Sequence, residues 1–417
     1  MLNVNVCVST VAVTAICALM LSATASADTY VLQPDGTGDF TTIQLAVSAV
    51  QSGDIIELAP GTYDQTGNRD VDFFGKAVTI RGQTGDPADV IIDCQGSEGD
   101  PHRGFIFSTG EGPGSVIQDL TVTNAYSTGH GGAIYCHTTS PTIDGCVFDR
   151  NTSEGSERYG GAIYCTGESS PTITGCTFTG NKASEFSTGR GGAIACRYGA
   201  DATLDNCFFE DNFAEYRGGA VYCDQCDATI TDCVVKENQA ESGAGVYVRY
   251  GTFVVTDCLV IDNRALDNRG GGLLAEYGSA VEVGGCTFVG NLAPVGGGMY
   301  VQSEPFALTR TIVASCPGGG VWYAYEAHRD ATVSCCNVFD NEGGNYSHII
   351  GDQTGINDNI SVDPQFCDEE AGDFRLFDTS PCSAELSPCG LKIGAYGVVC
   401  DSPVEQSSWG KVKAMYK

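Results

Sequence analysis

A six-residue motif, Cys-x-Phe-x-x-Asn, returns along this chain at nearly even steps, and few folds accommodate such a return. Aligned on it, with Val accepted in the Phe place, the matches are Cys146–Asn151, Cys176–Asn181, Cys207–Asn212, Cys233–Asn238, Cys258–Asn263 and Cys286–Asn291; successive asparagines lie 30, 31, 26, 25 and 28 residues apart. Weaker copies stand at Ile117–Asn124 and Cys336–Asn341. Each motif alternates with a glycine-rich run that opens an apolar stretch, from Gly131-Gly132-Ala133-Ile134 through Gly160-Gly161-Ala162-Ile163 to Gly296-Gly297-Gly298-Met299. A unit this short cannot bury its own apolar face, so it must stack on its neighbours. The 417 residues therefore read as one elongated body and not as two or three separate cores.

The stacked unit is a strand coil. No segment carries the i, i+3, i+4 apolar stripe of a helix, Gly and Thr are too frequent for one, and the leucines of a leucine-rich repeat are missing. What remains is alternation, as at Ile173, Cys176 and Phe178, in Thr-, Val-, Ile- and Phe-rich segments suited to half-buried pleats. Stacked coils ~4.8 Å apart pair every strand with the next and turn matching positions into ladders. Phe148, Phe178, Phe209 and Phe288 are expected to stack inside. The asparagines are expected at turns, where Asn tolerates left-handed backbone and stacked amides bond one another. The fold expected is an all-β parallel solenoid from about Tyr30 to Tyr396, with a short capping helix near its start. Thr41-Thr42-Ile43-Gln44 reads as a capping box for that helix, and Ile43, Val47 and Val50 give it an apolar face to cover the open edge of the first coil.

The chain divides into five parts on this reading: residues 1–27 as a secretory signal, 28–104 as cap and first coils, 105–345 as the repeats, 346–400 as C-terminal coils and cap, and 401–417 as a tail. The first 27 residues hold no charged side chain and end in Ala25-Ser26-Ala27, a small-x-small cleavage pattern. Export gives the cysteines an oxidising compartment and makes disulfides the expectation. Of 21 cysteines, Cys7 and Cys17 fall in the signal, leaving an odd 19. Four pairs recur at ten or eleven residues: Cys136/Cys146, Cys165/Cys176, Cys196/Cys207 and Cys223/Cys233. Two readings stay open for them, bridges within a coil or a buried stack of thiols acting as small hydrophobes. The net charge of −31 excludes nucleic acid as a partner, because phosphate binding needs a basic surface. No later segment has the apolar length of a membrane span. The tail brings Trp409, Val412 and Tyr416 onto one helical face, either to dock on the last coil or to act as a sorting signal.

The pairing of Gly-Gly-Ala-Ile with Phe-x-x-Asn over residues 105–345 resembles the repeats of polymorphic outer membrane proteins and of secreted right-handed parallel β-helix proteins. That resemblance implies a pectin-lyase-like fold and an extracellular or outer-membrane address. The stretch from Asp35 to Gln44 resembles the start of pectin methylesterases, and Asp363-Pro364-Gln365-Phe366, Gly372–Leu376 and Ile393–Tyr396 resemble the closing turns of secreted β-helix proteins.

Three functions are weighed: surface scaffold or adhesin, glycan-binding module, and polysaccharide-cleaving enzyme. The esterase resemblance ends after the first coils, so its catalytic residues have no counterparts here. A hydrolase needs two carboxylates across the sugar, and the chain has no Asp-Asp pair. Gly129-His130-Gly131 matches a polygalacturonase motif, but His130 falls in a variable column with Tyr159, Arg190, Arg217 and Arg269. A calcium-dependent lyase acting on acidic polysaccharide is the enzymatic alternative, needing carboxylates on the metal and an Arg or Lys base; Arg190 and Arg217, with Glu210 and Asp211 between them in sequence, are its candidates, and calcium is then the cofactor. For a glycan, the expected surface is Tyr135, Tyr164, Tyr222, Tyr247 and Tyr300. These follow the inward residue of each glycine-rich strand, and alternation turns them outward. The competing reading is a self-stacking ladder covering the sheet. A second column, Tyr198, Tyr250 and Tyr277, sits in the following turn. The expectation is a scaffold with no catalytic residue, no required cofactor, and polysaccharide or cell-surface components as partners.

Overall fold

A computed structural model describes residues 27–155, 158–184, 188–324 and 331–400. The proposed signal cleavage pattern up to Ser26 and the 401–417 tail lie outside the described residues. Each repeat makes one coil of four short strands. In one coil these are Thr142–Asp144, Val147–Asp149, Thr152–Glu154 and Ile163–Thr166, after which Thr172–Thr174 begins the next. Stacking gives sheet 1 (12 strands), sheet 2 (11), sheet 3 (six) and sheet 4 (11), and neighbours within each are parallel and in register. This is a parallel β-helix. One apolar core runs its length, from Leu32 to Val338.

The ladders fall where the repeat places them. Phe148, Phe178 and Phe209 are register partners. Their rings stack at 5.0 and 4.9 Å with interplanar angles of 10° and 6°; Val235 and Val260 continue the column before Phe288 resumes it. The asparagines differ in one respect from the sequence reading. They do not themselves adopt the left-handed backbone. The residue before each does, as at Arg150 (φ 52°), Gly180 (62°), Asp211 (55°) and Glu237 (56°). The asparagines are instead buried ladder rungs: Asn181 Oδ1 accepts from both the backbone N–H and Nδ2 of Asn151 at 3.0 Å, and Asn181 Nδ2 donates to Phe148 O at 2.8 Å. The same pattern passes through Asn212, Asn238, Asn263 and Asn291. The apparent copy at Asn124 is off by one place: Asn124 is the left-handed residue, and Ala125 occupies the rung.

The cysteine bridges are a correction. Cys136, Cys146, Cys165, Cys176, Cys196, Cys207, Cys223 and Cys233 are all free, buried thiols. The members of each expected pair belong to different columns. Cys136, Cys165, Cys196 and Cys223 are register partners along sheet 4. Cys146, Cys176, Cys207 and Cys233 line the corner between sheets 1 and 2, where the sulfur does an amide's work. Cys176 Sγ accepts the Cys146 N–H at 3.4 Å and donates to Thr174 O at 3.3 Å. A disulfide would remove that donor, so the thiol form fits the corner. Two disulfides stand elsewhere, Cys335–Cys389 and Cys367–Cys400.

Both ends differ in detail from expectation. The helix, α1 (Ile43–Ala49), is capped by Thr42, whose side chain accepts from Leu45 N, and it buries Ile43, Ala46 and Val47. Gln44 does not close a capping box; it exchanges hydrogen bonds with the backbone of Asp72 at 3.0 and 2.8 Å, tying the helix to the next coil. At the other end, the chain beyond Phe366 adds no further coils to the stack. It forms a small sheet (Phe366–Asp368, Asp373–Phe377, Val398–Cys400). That sheet and its loops fold back on the outer face of sheet 2, setting Phe374, Leu376 and Ile393 against Leu259, Ile261, Val289 and Ile312. Ala395 N donates to Thr287 Oγ1 at 2.9 Å and Gly394 N to Arg310 O at 2.7 Å.

Candidate functional site

Charged and aromatic side chains gather on the outer face of sheet 4. The glycine pairs make this possible, since a Cβ on Gly161 would lie 2.1 Å from Gly192 O in the next coil. Without side chains there, the coil bends tightly into the strand and leaves the residue before the pair at its rim. That rim column holds Tyr159, Arg190, Arg217 and Ser242 as bridge partners, with Arg269 and Val295 beyond.

The five tyrosines do point away from the coil interior, as alternation requires, but they form no open platform. Tyr164, Tyr222, Tyr247 and Tyr300 are buried in a second apolar cluster with Tyr159, Ala195 and Leu274, and Tyr135 is half-buried against it. Tyr222 and Tyr247 stack at 5.2 Å and 7°. Burial pushes the Tyr164 phenol up to about 12, and it raises Tyr222 and Tyr247 further, with nearby Asp224 and Glu276 adding to the effect. All three are protonated at any physiological pH.

Arginines and carboxylates roof this cluster. Two residues beyond Ala195, Tyr222, Tyr247 and Leu274, four successive rungs of the outward column, lies a second column whose adjacent rungs are Arg197, Asp224, Arg249 and Glu276. In-register stacking of alternating charge places Asp224 between two guanidiniums: Arg249 reaches it with two bonds of 2.8 Å and Arg197 Nε with one of 3.1 Å. Burial alone would raise the Asp224 carboxyl, but these two arginines overcome it and hold it below the usual range. Glu276 accepts from Tyr247 OH at 3.0 Å and lies 3.9 Å from Arg217 and 3.5 Å from Arg269. The guanidiniums also stack on rings, Arg197 on Tyr159 at 4.2 Å, Arg217 on Tyr216 at 4.4 Å and Arg269 on Tyr300 at 4.9 Å.

His130 closes the N-terminal end of this layer, its ring 5.2 Å from Tyr159 and 4.6 Å from Tyr164. Burial, and then the positive charges of Arg158, Arg197 and Arg103, lower its imidazole to about 4. It is half-buried, not exposed as the sequence suggested. Of the lyase candidates, Arg190 and Arg217 are neighbours on the rim, but the two carboxylates do not join them. Glu210 lies on the outer face of sheet 2 and pairs with Lys236 at 2.8 Å. Asp211 is the left-handed turn residue next to Asn212. Among the described residues no group of three His, Cys, Asp or Glu side chains is placed to hold a metal ion. Sequence reasoning missed the Arg197–Asp224–Arg249–Glu276 column, although its positions are two beyond the outward residue of four successive glycine-rich strands and alternate in charge.

Residues 106–288 match the family model described as the right handed beta helix region. No curated protein matches the chain. Solved structures align with it at low identity. The pectate lyase Pel9A is 14% identical, with 90% of this chain and 97% of that one covered at a TM-score of 0.48. A rhamnogalacturonan lyase is 14% identical, with 92% and 98% covered at 0.48. A mannuronic acid specific polysaccharide family 6 lyase from human gut microbiota is 14% identical, with 93% and 99% covered at 0.40. At such scores these likenesses carry nothing about this chain's chemistry.

Proposed function

We propose that this right-handed β-helix is an extracellular or cell-surface scaffold, a long acidic rod that presents its surface and performs no chemistry. One observation carries the reading: the arginines, carboxylates and tyrosines of the sheet 4 face, the groups a polysaccharide-cleaving enzyme would use, are packed against one another. Asp224 is buried between Arg197 and Arg249, and Glu276 lies among Tyr247, Arg217 and Arg269. A buried, hydrogen-bonded ion pair resists separation, because removing one partner strands the other charge. The net charge of −31 fits solubility in an open medium. No helix among the described residues is long and apolar enough to cross a membrane. The signal expected at residues 1–27 and the disulfides Cys335–Cys389 and Cys367–Cys400 support export.

The lyase alternative has one feature in its favour. Arg190 Nε, Arg217 Nε and His130 Nδ1 are buried without hydrogen-bond partners on this same face, and unpartnered polar atoms are uncommon. The deciding experiment incubates the secreted protein with acidic and neutral polysaccharides, with and without calcium, and follows unsaturated-product absorbance and reducing ends. The expected result is no turnover in any arm. Turnover abolished by Arg217→Ala or His130→Ala establishes the enzyme instead.

A further inference from the structure

The largest aromatic side chains left in water on the repeats form a ridge beside a groove on the next sheet. Tyr198, Tyr250 and Tyr277 are 50%, 49% and 47% exposed. All three sit at the turn from sheet 4 into sheet 1 with left-handed backbone, φ 56°, 52° and 56°. Other coils place Thr138, Glu168 and Gln225 in that conformation, so the backbone belongs to the repeat. The large apolar ring is particular to these coils. Glycine or asparagine would occupy the position at lower cost. The rings are held in place: Arg197 lies 4.3 Å from the Tyr198 ring and donates to its hydroxyl at 2.7 Å, and Tyr250 and Tyr277 stack at 5.8 Å and 28°.

Two or three residues beyond each tyrosine the chain enters two adjoining hollows on the outer face of sheet 1. One, of about 210 Å³, is lined by Asp201, Thr203, Asp227 and Thr229; the other, of about 320 Å³, by Ala280, Glu282, Pro305 and Thr332; both include Thr252 and Val254. Their outward floor column, Thr203, Thr229, Val254, Glu282, Ala307 and Thr332, is in register across adjacent coils. Five coil steps make the groove ~24 Å long.

The geometry points to this ridge and groove as a binding site for a neutral hexose polymer lying along the rod axis. Aromatic faces open to water offer apolar area to the flat faces of sugar rings while the phenol stays wet. The hydroxyls of Thr203, Thr229 and Thr252 and the carboxylates of Asp201 and Asp227 supply the few directed polar groups that fix a ligand. The carboxylates of Asp201, Asp227 and Glu282 in the lining, on a chain of net charge −31, repel uronate and sulfated polymers. Five of the six floor strands are already paired on both sides within the sheet, so a peptide could add as a strand only at the terminal strand Ala331–Ser334 and not along the groove. The inference goes beyond the scaffold reading and stands apart from it, since binding is measured without reference to turnover.

Isothermal titration of the whole protein with cellohexaose, maltohexaose, mannohexaose and laminarihexaose, and with oligogalacturonate as the acidic control, tests it. At least one neutral hexamer is expected to bind tighter than about 1 mM, with affinity rising with oligomer length until the groove is filled. The double variant Tyr250→Ser/Tyr277→Ser should weaken that binding at least tenfold while the melting transition persists. Thr229→Arg, which fills the groove from an exposed position, should do the same. The proposal is overturned if no neutral hexamer binds, if oligogalacturonate binds more tightly than all of them, or if both variants bind like the parent.

Discussion

Asn212 satisfies four polar groups at once. Its Oδ1 accepts the Asn181 backbone N–H at 3.1 Å and Nδ2 at 2.9 Å, while its own Nδ2 donates to Phe178 O and Asn238 Oδ1, each at 2.9 Å. Asn212→Ala leaves these buried partners unpaired, at about 1–3 kcal/mol for each group that water cannot reach. A loss of ~3 kcal/mol in denaturant unfolding is expected; a loss under ~1 kcal/mol would mean that the ladder relaxes around the gap. The thiol corner predicts a count. Unfolding without reductant should release fifteen reactive thiols, whereas four bridges within the coils would leave seven, fifteen less eight. His130 predicts a pH dependence. Its folded value of about 4 lies below the ~6.5 of an unfolded histidine, so the unfolded chain takes up the proton first as pH falls. The stabilisation is complete above pH ~6.5 and is lost as pH falls through 4. Allowing for its partial exposure, ~2 kcal/mol is at stake. The Asp224 carboxyl is also held down, but its contribution is present above ~3.9 and lost only at still lower pH, so the two windows separate. His130→Phe should flatten the change in unfolding midpoint between pH 7 and 4.5. An unchanged slope in the variant assigns that dependence to other groups.

At the scale of elements, the C-terminal segment is an apolar clasp on an otherwise open sheet face. Ile393 and Leu376 fill the contact with Ile312 and Val289. Ile393→Ala should cost ~2–4 kcal/mol of clasp stability. Hydrogen exchange should locate the effect, speeding amides from Phe366 to Cys400 while those of the coils before Cys233 keep their protection, because contacts in a solenoid are with nearest neighbours. Equal acceleration along the whole rod would show that clasp and coils unfold as one unit. The sequence announced this segment only as closing turns. Its strands are short and its partners lie about a hundred residues back, and no periodicity in 346–400 specifies a long-range contact of that kind. The coils were legible for the opposite reason. Strand alternation at Ile173, Cys176 and Phe178 is local, and six registered copies of the motif repeat it. The tyrosine column shows where alternation stops informing. It decides that Tyr222 and Tyr247 leave the coil interior, but their burial depends on Arg197, Arg249 and Glu276 arriving from other coils.

For the whole molecule, register is the property that the fold depends on. Asn to Asn, Phe to Phe and Cys to Cys, each coil offers its successor the same set of partners, so a coil can be removed if the set is kept. Deleting Asn181–Asp211 joins Gly180 to Asn212, and Gly180 already has the left-handed backbone, φ 62°, that precedes a ladder asparagine. Asn212 then accepts from Asn151, and Phe209 is lost with its coil while Val235 meets Phe178. The shortened protein should be a folded rod one ~4.8 Å step shorter, with the same β-rich far-UV spectrum. Its stability should fall by one coil's share and not collapse, because stability along a solenoid sums over units and their interfaces. Deleting only Asn181–Ala195 shifts the chain by half a coil. The asparagine column would then face Cys196 and the glycine pairs would lose their tight bend, leaving buried backbone groups without partners. That variant should be aggregated or protease-sensitive. If the two deletions behave alike, the coil boundaries assigned to the asparagine ladder are wrong. If only the whole-coil deletion folds, the sheet 4 layer offers a second check. The cut removes Arg190 and Arg197, so Asp224 keeps Arg249 alone and its carboxyl is held down less; the stability lost on acidification below pH ~3.9 should therefore be smaller than in the parent.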